Sequence, residues 1–355
     1  MTKKLELILK MIVLSLGLIA VLSVMFKDKK QSDKVSDIEY DFAMGTTISV
    51  NLYNNKNQDT IINNIFEDIK DLDNSLISWR NDNSELGRFN SSYLVNEEYL
   101  ISDELYMITQ DALSLCKDSN GALEITIRPL ANLWGIEDTT DKGFVVPKQE
   151  EINKALDSVG YEYIQLGKNA DNSAYMICSK EDMIVDFGAV GKGYALDRTR
   201  KILDKNNCEG AVVTVGGSIL VYGNKPNDES FKIGIRDPKK GISDDDMIGY
   251  LDFPSGTISF VSTSGGYEKY KTADGKDYHH ILDRSTGYPS DSDLASVTIV
   301  CDNGLLSDGL STACFIMGYD QSLSLLKKYN AEAVFIDKDN KVIVTDGLKD
   351  IWKQK

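Results

Sequence analysis

Residues 183–203, M-I-V-D-F-G-A-V-G-K-G-Y-A-L-D-R-T-R-K-I-L, constrain the fold more than any other stretch. The apolar run 183–187 predicts a short strand. Gly188, Gly191 and Gly193 predict a turn. A helix follows, with Tyr194, Leu196, Ile202 and Leu203 placed to face a core. Glycines let backbone approach a ligand closely, and the free amides of a helix start favour negative charge. Lys192 adds a cation at the mouth, and Asp186 offers a carboxylate where the strand ends. The spacing G-x-x-G-K-G matches neither the Walker A loop nor G-x-G-x-x-G. On this stretch alone, phosphate binding and a plain strand-to-helix connection both stand.

Charge narrows the partners. The net charge of the 355-residue chain is −16. Residues 1–30 carry six lysines against two acids, so the remainder holds −20. A body that acidic repels nucleic acid and anionic lipid. Holding a phosphorylated ligand requires a local device: a metal, helix N-termini or a few placed cations. Five cysteines, Cys116, Cys178, Cys208, Cys301 and Cys314, lack C-x-x-C spacing. Cys116, Cys301 and Cys314 sit in apolar runs and read as buried thiols acting as small hydrophobes.

Residues 11–26 contain no charge and lie between Lys10 and Lys27. This is the pattern of a secretory signal or short anchor. With no A-x-A cleavage site, residues 1–27 read as an uncleaved membrane anchor, with the body outside the cytoplasm. Residues 28–37 form a charged linker, and residues 38–350 a single domain. Within it, 40–53 alternates as a hairpin broken at Met44-Gly45. Ile61, Ile62, Ile65, Phe66, Ile69, Leu72 and Leu76 keep helical spacing. The segment 77–90 is polar and reads as a loop. Ser102 caps a helix, and another follows Pro147. Strands are expected at 161–167, 174–180, 211–223 (broken at Gly216-Gly217), 231–235, 247–253, 257–263 and 294–302. Residues 307–318 read as a helix, Asp320 as the cap of another, and 333–345 as a closing hairpin. Helices and strands mix without strict alternation. That predicts an α+β fold of mixed, largely antiparallel sheets flanked by helices.

Several residues can carry chemistry. Asp308 and Thr312, in S-D-G-L-S-T-A, share one helix face at i and i+4. They offer two hard oxygens to Mg²⁺, which takes oxygen ligands and shares substrate phosphates. The same pair also suits an acid offsetting the helix dipole and a threonine bonding back to a carbonyl. His279 and His280 are the only histidines. Neighbours in a strand face opposite ways, so at most one points into a given site. A multi-histidine metal centre is excluded, leaving a general base or a structural histidine. Trp79 either stacks on a flat ring or anchors its loop. Residues 262–267, S-T-S-G-G-Y, form a turn suited to phosphate or to nothing beyond turning. No G-x-S-x-G supports a nucleophile elbow.

Taken in order, these stretches resemble the ApbE family of FAD:protein FMN transferases. The motifs are A-M-G-T-T, S-W-R-N-D-N-S-E-L-G-R-F-N, G-A-L-E-I-T-I-R-P-L-A-N-L-W-G and V-D-F-G-A-V-G-K-G-Y-A-L-D-R. They continue through V-G-G-S-I-L-V-Y-G-N-K-P, G-I-R-D-P, S-T-S-G-G-Y-E-K-Y, H-I-L-D-R-S-T-G and S-D-G-L-S-T-A, and the resemblance covers roughly residues 40–345. The resemblance implies an ApbE-like, T-fold-related body that binds FAD as substrate and Mg²⁺. It implies transfer of FMN to a Thr or Ser hydroxyl of an acceptor flavoprotein carrying a short flavinylation motif, with release of AMP. By motif, Met44, Trp79, Ala122, Leu123, Glu124, Asp186 and Lys192 would line the FAD site, with apolar contact from Ile281 and Leu282. Ala189, through its backbone oxygen, would join Asp308 and Thr312 around Mg²⁺, and His280 would be the base. Three departures stand out. Ser218 replaces an often acidic position, Gly266 another, and Arg284 the proline frequent after H-I-x-D. Two other functions fit the same residues: an Mg²⁺-dependent FAD pyrophosphatase with water as acceptor, and a non-catalytic surface protein that stores FAD.

Overall fold

The computed structural model describes residues 38–53, 55–138, 143–240 and 246–355. The expected anchor (1–27) and linker (28–37) lie outside the described residues. Among the described residues, no helix is long and apolar enough to cross a membrane.

Eight strands build the central sheet, and their order in space is their order in the chain. They are β1 (Glu39–Ala43), β2 (Thr46–Tyr53), β3 (Gly210–Val215), β4 (Ser218–Gly223), β5 (Thr257–Gly265), β6 (Leu294–Cys301), β7 (Glu332–Asp337) and β8 (Val342–Val344). Every neighbouring pair is antiparallel. The β1–β2 turn is Met44-Gly45, with φ of 52° and 70°. Two left-handed residues in a two-residue loop match the twist of the flanking strands.

Both faces of the sheet are covered, which explains uninterrupted apolar runs such as Ala211-Val212-Val213. Ala211, Val213, Leu220, Phe260 and Ile299 face the helices. Val212, Val221, Val261 and Val300 face a three-stranded sheet of Phe231–Arg236, Met247–Phe253 and Trp352–Gln354. A smaller cluster gathers Leu130, Trp134, Ile152 and Leu282 beside the main body. All five cysteines are free and buried.

Three local expectations change. Residues 183–187 form no strand. The Met183 amide donates to Tyr93 Oη (2.9 Å), Val185 to Asn90 Oδ1 (2.9 Å) and Asp186 to the Ile125 carbonyl (2.7 Å). The apolar pattern reported burial; the backbone found side-chain partners in place of a ladder. Asn90 comes from the segment 77–90 read as a polar loop, in which the helix Glu85–Ser92 begins, and Tyr93 follows that helix. Ser84 caps it by accepting from the Gly87 amide. Gly318, not Asp320, caps the helix Tyr319–Lys328; Asp320 sits in its first turn, where an acid offsets the dipole.

The helices Gly191–Lys205 and Gly304–Met317 cross at their glycines. A Cβ on Gly193 would fall on the Gly304 carbonyl oxygen, and one on Gly304 would fall on that of Gly193. Asp197 holds the crossing by accepting from the Gly304 (2.7 Å) and Leu305 (2.8 Å) amides. Gly193→Ala is therefore expected to destabilise the fold by about 3 kcal/mol or more, at the upper end of overpacking costs. Urea unfolding checks this: the midpoint falls while the slope holds, and an unchanged midpoint would contradict the crossing.

Candidate active site

The crossing carries Asp308 to the start of the Gly191 helix. Asp308 is 5% exposed. Its Oδ2 accepts from the Gly193 amide (3.0 Å), its Oδ1 from Ser218 Oγ (3.0 Å), and Lys192 Nζ stands 3.7 Å from Oδ2. The amide start of this helix thus meets a carboxylate of the chain itself. The Gly193 amide goes to Asp308 and not to the Ala189 carbonyl four residues back, although Tyr194 does bond to Val190. That leaves the Ala189 oxygen without its partner in the helix ladder. Lys192 Nζ also donates to the Gly188 carbonyl (3.0 Å). Thr312 lies one turn beyond Asp308, its hydroxyl 3.4 Å from Ser264 Oγ. Met44 packs at Gly191, and its amide donates to Asp73 Oδ2 (2.8 Å) from the π-helical turn Leu72–Ile77.

A second group joins the first through Asp186. The Gly188 amide donates to Asp186 Oδ1 (2.8 Å). Arg128 donates to Asp186 Oδ2 from Nε (2.7 Å) and also from Nη2, and from Nη1 to Glu137 (3.0 Å). Burial works against the Arg128 charge; Asp186 and Glu137 outweigh it and hold it charged. The Arg128 guanidinium lies 4.2 Å from the centre of the Trp79 ring, and that of Arg80 at 4.3 Å. Such stacking fixes the indole. Burial pushes Glu137 up, but Lys269 (2.9 Å) and Arg128 pull it down to about 2.

His280 closes this group. Its Nδ1 donates to the Lys269 carbonyl (3.3 Å), the backbone of the residue that binds Glu137. That tautomer leaves Nε2 with the free lone pair. Burial, then the Lys269 cation, pull His280 down to about 4. His279 takes a different partner, Nε2 to the Ser290 carbonyl (3.0 Å), and stands edge-on to Phe315. Glu268 is exposed at the surface with its Oε1 beside Gly217, and loss of hydration pushes its carboxyl up against the pull of Lys192, Lys269 and Arg236.

The structure thus gathers Met44, Lys192, Ala189, Asp308 and Thr312 at one end, and Trp79, Asp186 and His280 at the other. Leu123 is fully buried and packs near Gly309 of the Asp308 helix. Glu124 is also buried, with Thr126, Tyr161 and Arg284 on its oxygens. Of the 122–124 segment, only Ala122 keeps a partly exposed side chain. Ile281 and Leu282 are buried in separate clusters. Arg128, Glu137, Lys269 and Glu268 were not singled out from sequence. Arg128 had a usable signal: a lone cation inside the apolar run 121–135 needs a buried partner.

Fold and site together define an α+β protein in which a run of polar contacts joins a buried carboxylate, Asp308, to an arginine-backed indole, Trp79. The ApbE family model matches residues 44–335. The chain belongs to the ApbE family. It is 29% identical over 283 residues to the FAD:protein FMN transferase of Haemophilus influenzae, covering 78% of each chain. It is similar to the crystal structure of the ApbE protein of Thermotoga maritima, with a TM-score of 0.77 and 31% identity over 90% of this chain and 99% of that one. The apo flavinyl transferase ApbE of Pseudomonas stutzeri gives 0.75 and 25%, over 91% and 98%.

The two histidines make the electrostatics testable by NMR titration. A histidine depressed in the fold takes its proton at lower pH than in the unfolded chain, whose value is about 6.5. The His280 ring is expected to stay neutral until the pH falls toward 4. Its stabilising contribution is complete above about 6.5 and is lost as the pH drops through that window. A ring titrating near 6.5, assigned by its loss in His280→Gln, would contradict the burial described.

Proposed function

We propose that this chain transfers FMN from FAD to a Ser or Thr hydroxyl of an acceptor flavoprotein, with Mg²⁺, releasing AMP. The observation that carries this reading is the oxygen set around Asp308: its buried carboxylate, the Thr312 hydroxyl one turn on and the Ala189 carbonyl freed by Gly193. Among the described residues, no three His, Cys, Asp or Glu side chains converge as a metal site. A few hard protein oxygens completed by water and phosphate suit Mg²⁺, which keeps waters and shares phosphates. Bound there, the ion would withdraw charge from the pyrophosphate and stabilise the leaving AMP.

The chain's own groups do the rest. Lys192 lies beside Asp308, where it meets phosphate charge. Trp79 would stack on a flat ring by exchanging it for Arg80, the exposed one of the two guanidinium groups on the indole, while the buried Arg128 stays in place. His280, neutral near pH 7, accepts the acceptor's proton at Nε2. The hydroxyl oxygen then bonds to the flavin-side phosphorus, the bond from that phosphorus to the bridging oxygen breaks, and AMP leaves with that oxygen. Residues 1–27, apolar between lysines, would tether the body outside the cytoplasm at the membrane, where such an acceptor would sit.

Incubation with FAD, Mg²⁺ and a flavoprotein acceptor tests the reading by mass. The acceptor gains one FMN, AMP appears, and EDTA abolishes both. Asp308→Ala slows transfer at least about a hundredfold, the scale of losing one preorganised charge contact. Undiminished turnover in that variant would remove the metal assignment. AMP with an unlabelled acceptor would favour water as acceptor, and FAD binding without AMP would favour storage.

A further inference from the structure

Residues 283–287 turn the chain between the short paired segments Leu282–Asp283 and Tyr288–Pro289. The Gly287 amide donates to the Asp283 carbonyl (2.8 Å) and the Ser285 amide to Asp283 Oδ1 (2.8 Å). Residue 284 is the first position after the strand, where the fixed φ of proline suits a tight turn. Arg284 supplies no such stiffness, and its guanidinium has other partners. Nη1 donates to Glu124 Oε2 (2.5 Å) and Glu162 Oε2 (2.9 Å), and Nη2 to Glu162 Oε1 (2.6 Å). The group lies 5.0 Å from the centre of the Tyr161 ring. It also presses on Gly121, where a Cβ would come within 2.8 Å of Nε.

Three segments meet on this one side chain: residues 121–124, the turn Tyr161–Tyr163, and the turn that continues from His280, Ile281 and Leu282. The other donors to the buried Glu124 carboxylate are neutral: the Thr126 amide and hydroxyl and the Tyr161 amide. Arg284 therefore supplies the cation in that bond set. Its fork meets Glu162 with two parallel bonds, which sets an orientation as well as a distance.

The geometry points to Arg284 as a positioning residue for flavin transfer: it clamps the base-bearing segment 280–283 to segment 122–124, so that His280 and residues 122–124 are held as one piece. This rests on the functional reading above and deepens it. Where a proline would stiffen the turn by itself, this chain ties the turn to two carboxylates.

Arg284→Pro tests the clamp directly, because it keeps a residue that suits the turn and removes every ion pair. FAD affinity is read by flavin fluorescence, with KM for FAD and kcat measured separately and melting followed for each variant. Arg284→Pro is expected to fold, to bind FAD roughly tenfold more weakly and to raise KM in step. Arg284→Lys falls between, since an ammonium cannot make the fork. Glu162→Gln, at a half-exposed position, weakens binding a few-fold with melting unchanged. Native FAD affinity and KM in Arg284→Pro would overturn the inference and leave Arg284 a turn residue. If that variant fails to fold, Glu162→Gln decides by the same readings, native affinity again overturning the clamp. A native protein that binds no FAD would instead remove the functional reading, and the inference with it.

Discussion

The structure depends on a buried carboxylate that the backbone makes tolerable. Removing Asp308 from water with no partner would cost several kcal/mol. It is met by the Gly193 amide, the Ser218 hydroxyl and the nearby Lys192 ammonium. The amide can reach it only because the two helices touch through glycine. Any side chain at Gly193 or Gly304 would push them apart, and with them the carboxylate and its donor. Packing and electrostatics here are one constraint: the close crossing puts a partial positive charge beside Asp308 and frees the Ala189 carbonyl.

From that point, polar contacts run outward without a break. Gly188 links the glycine turn to Asp186, Asp186 to Arg128, Arg128 to Trp79 and Glu137, Glu137 to Lys269, and the Lys269 carbonyl to His280. Each charge in the series is next to one of opposite sign, which is what permits several of them to be buried in an acidic protein. The functional consequence is rigidity. The Trp79 indole and the His280 imidazole are set relative to Asp308 by bonded partners. Preorganisation of this kind lets fixed dipoles act without rearrangement cost.

Much of this was legible in the sequence, where local rules govern. The Met44-Gly45 hairpin followed from period-two alternation and its turn residues. Ser102 announced its helix, and the i,i+4 spacing of Asp308 and Thr312 placed them on one face. The run 183–187 misled because apolar spacing encodes burial and not the identity of the hydrogen-bond partner, here Asn90 and Tyr93. The Asp186–Arg128 pair was invisible for another reason: the residues lie 58 apart in the chain, and only the fold brings them together. The resemblance put Leu123 and Glu124 in the lining of the FAD site; the structure shows the Leu123 side chain packed in the core and that of Glu124 buried and tied to Arg284.

In the proposed mechanism Asp308, Thr312 and the Ala189 carbonyl form one cation site at the helix crossing. Crystals grown with FAD and Mn²⁺ in place of Mg²⁺ test it by anomalous scattering. The account predicts a single strong peak about 2 Å from those three oxygens, the distance expected for such an ion. It also predicts that the peak disappears in Asp308→Asn. A peak bound elsewhere, or one that survives that substitution, would contradict it.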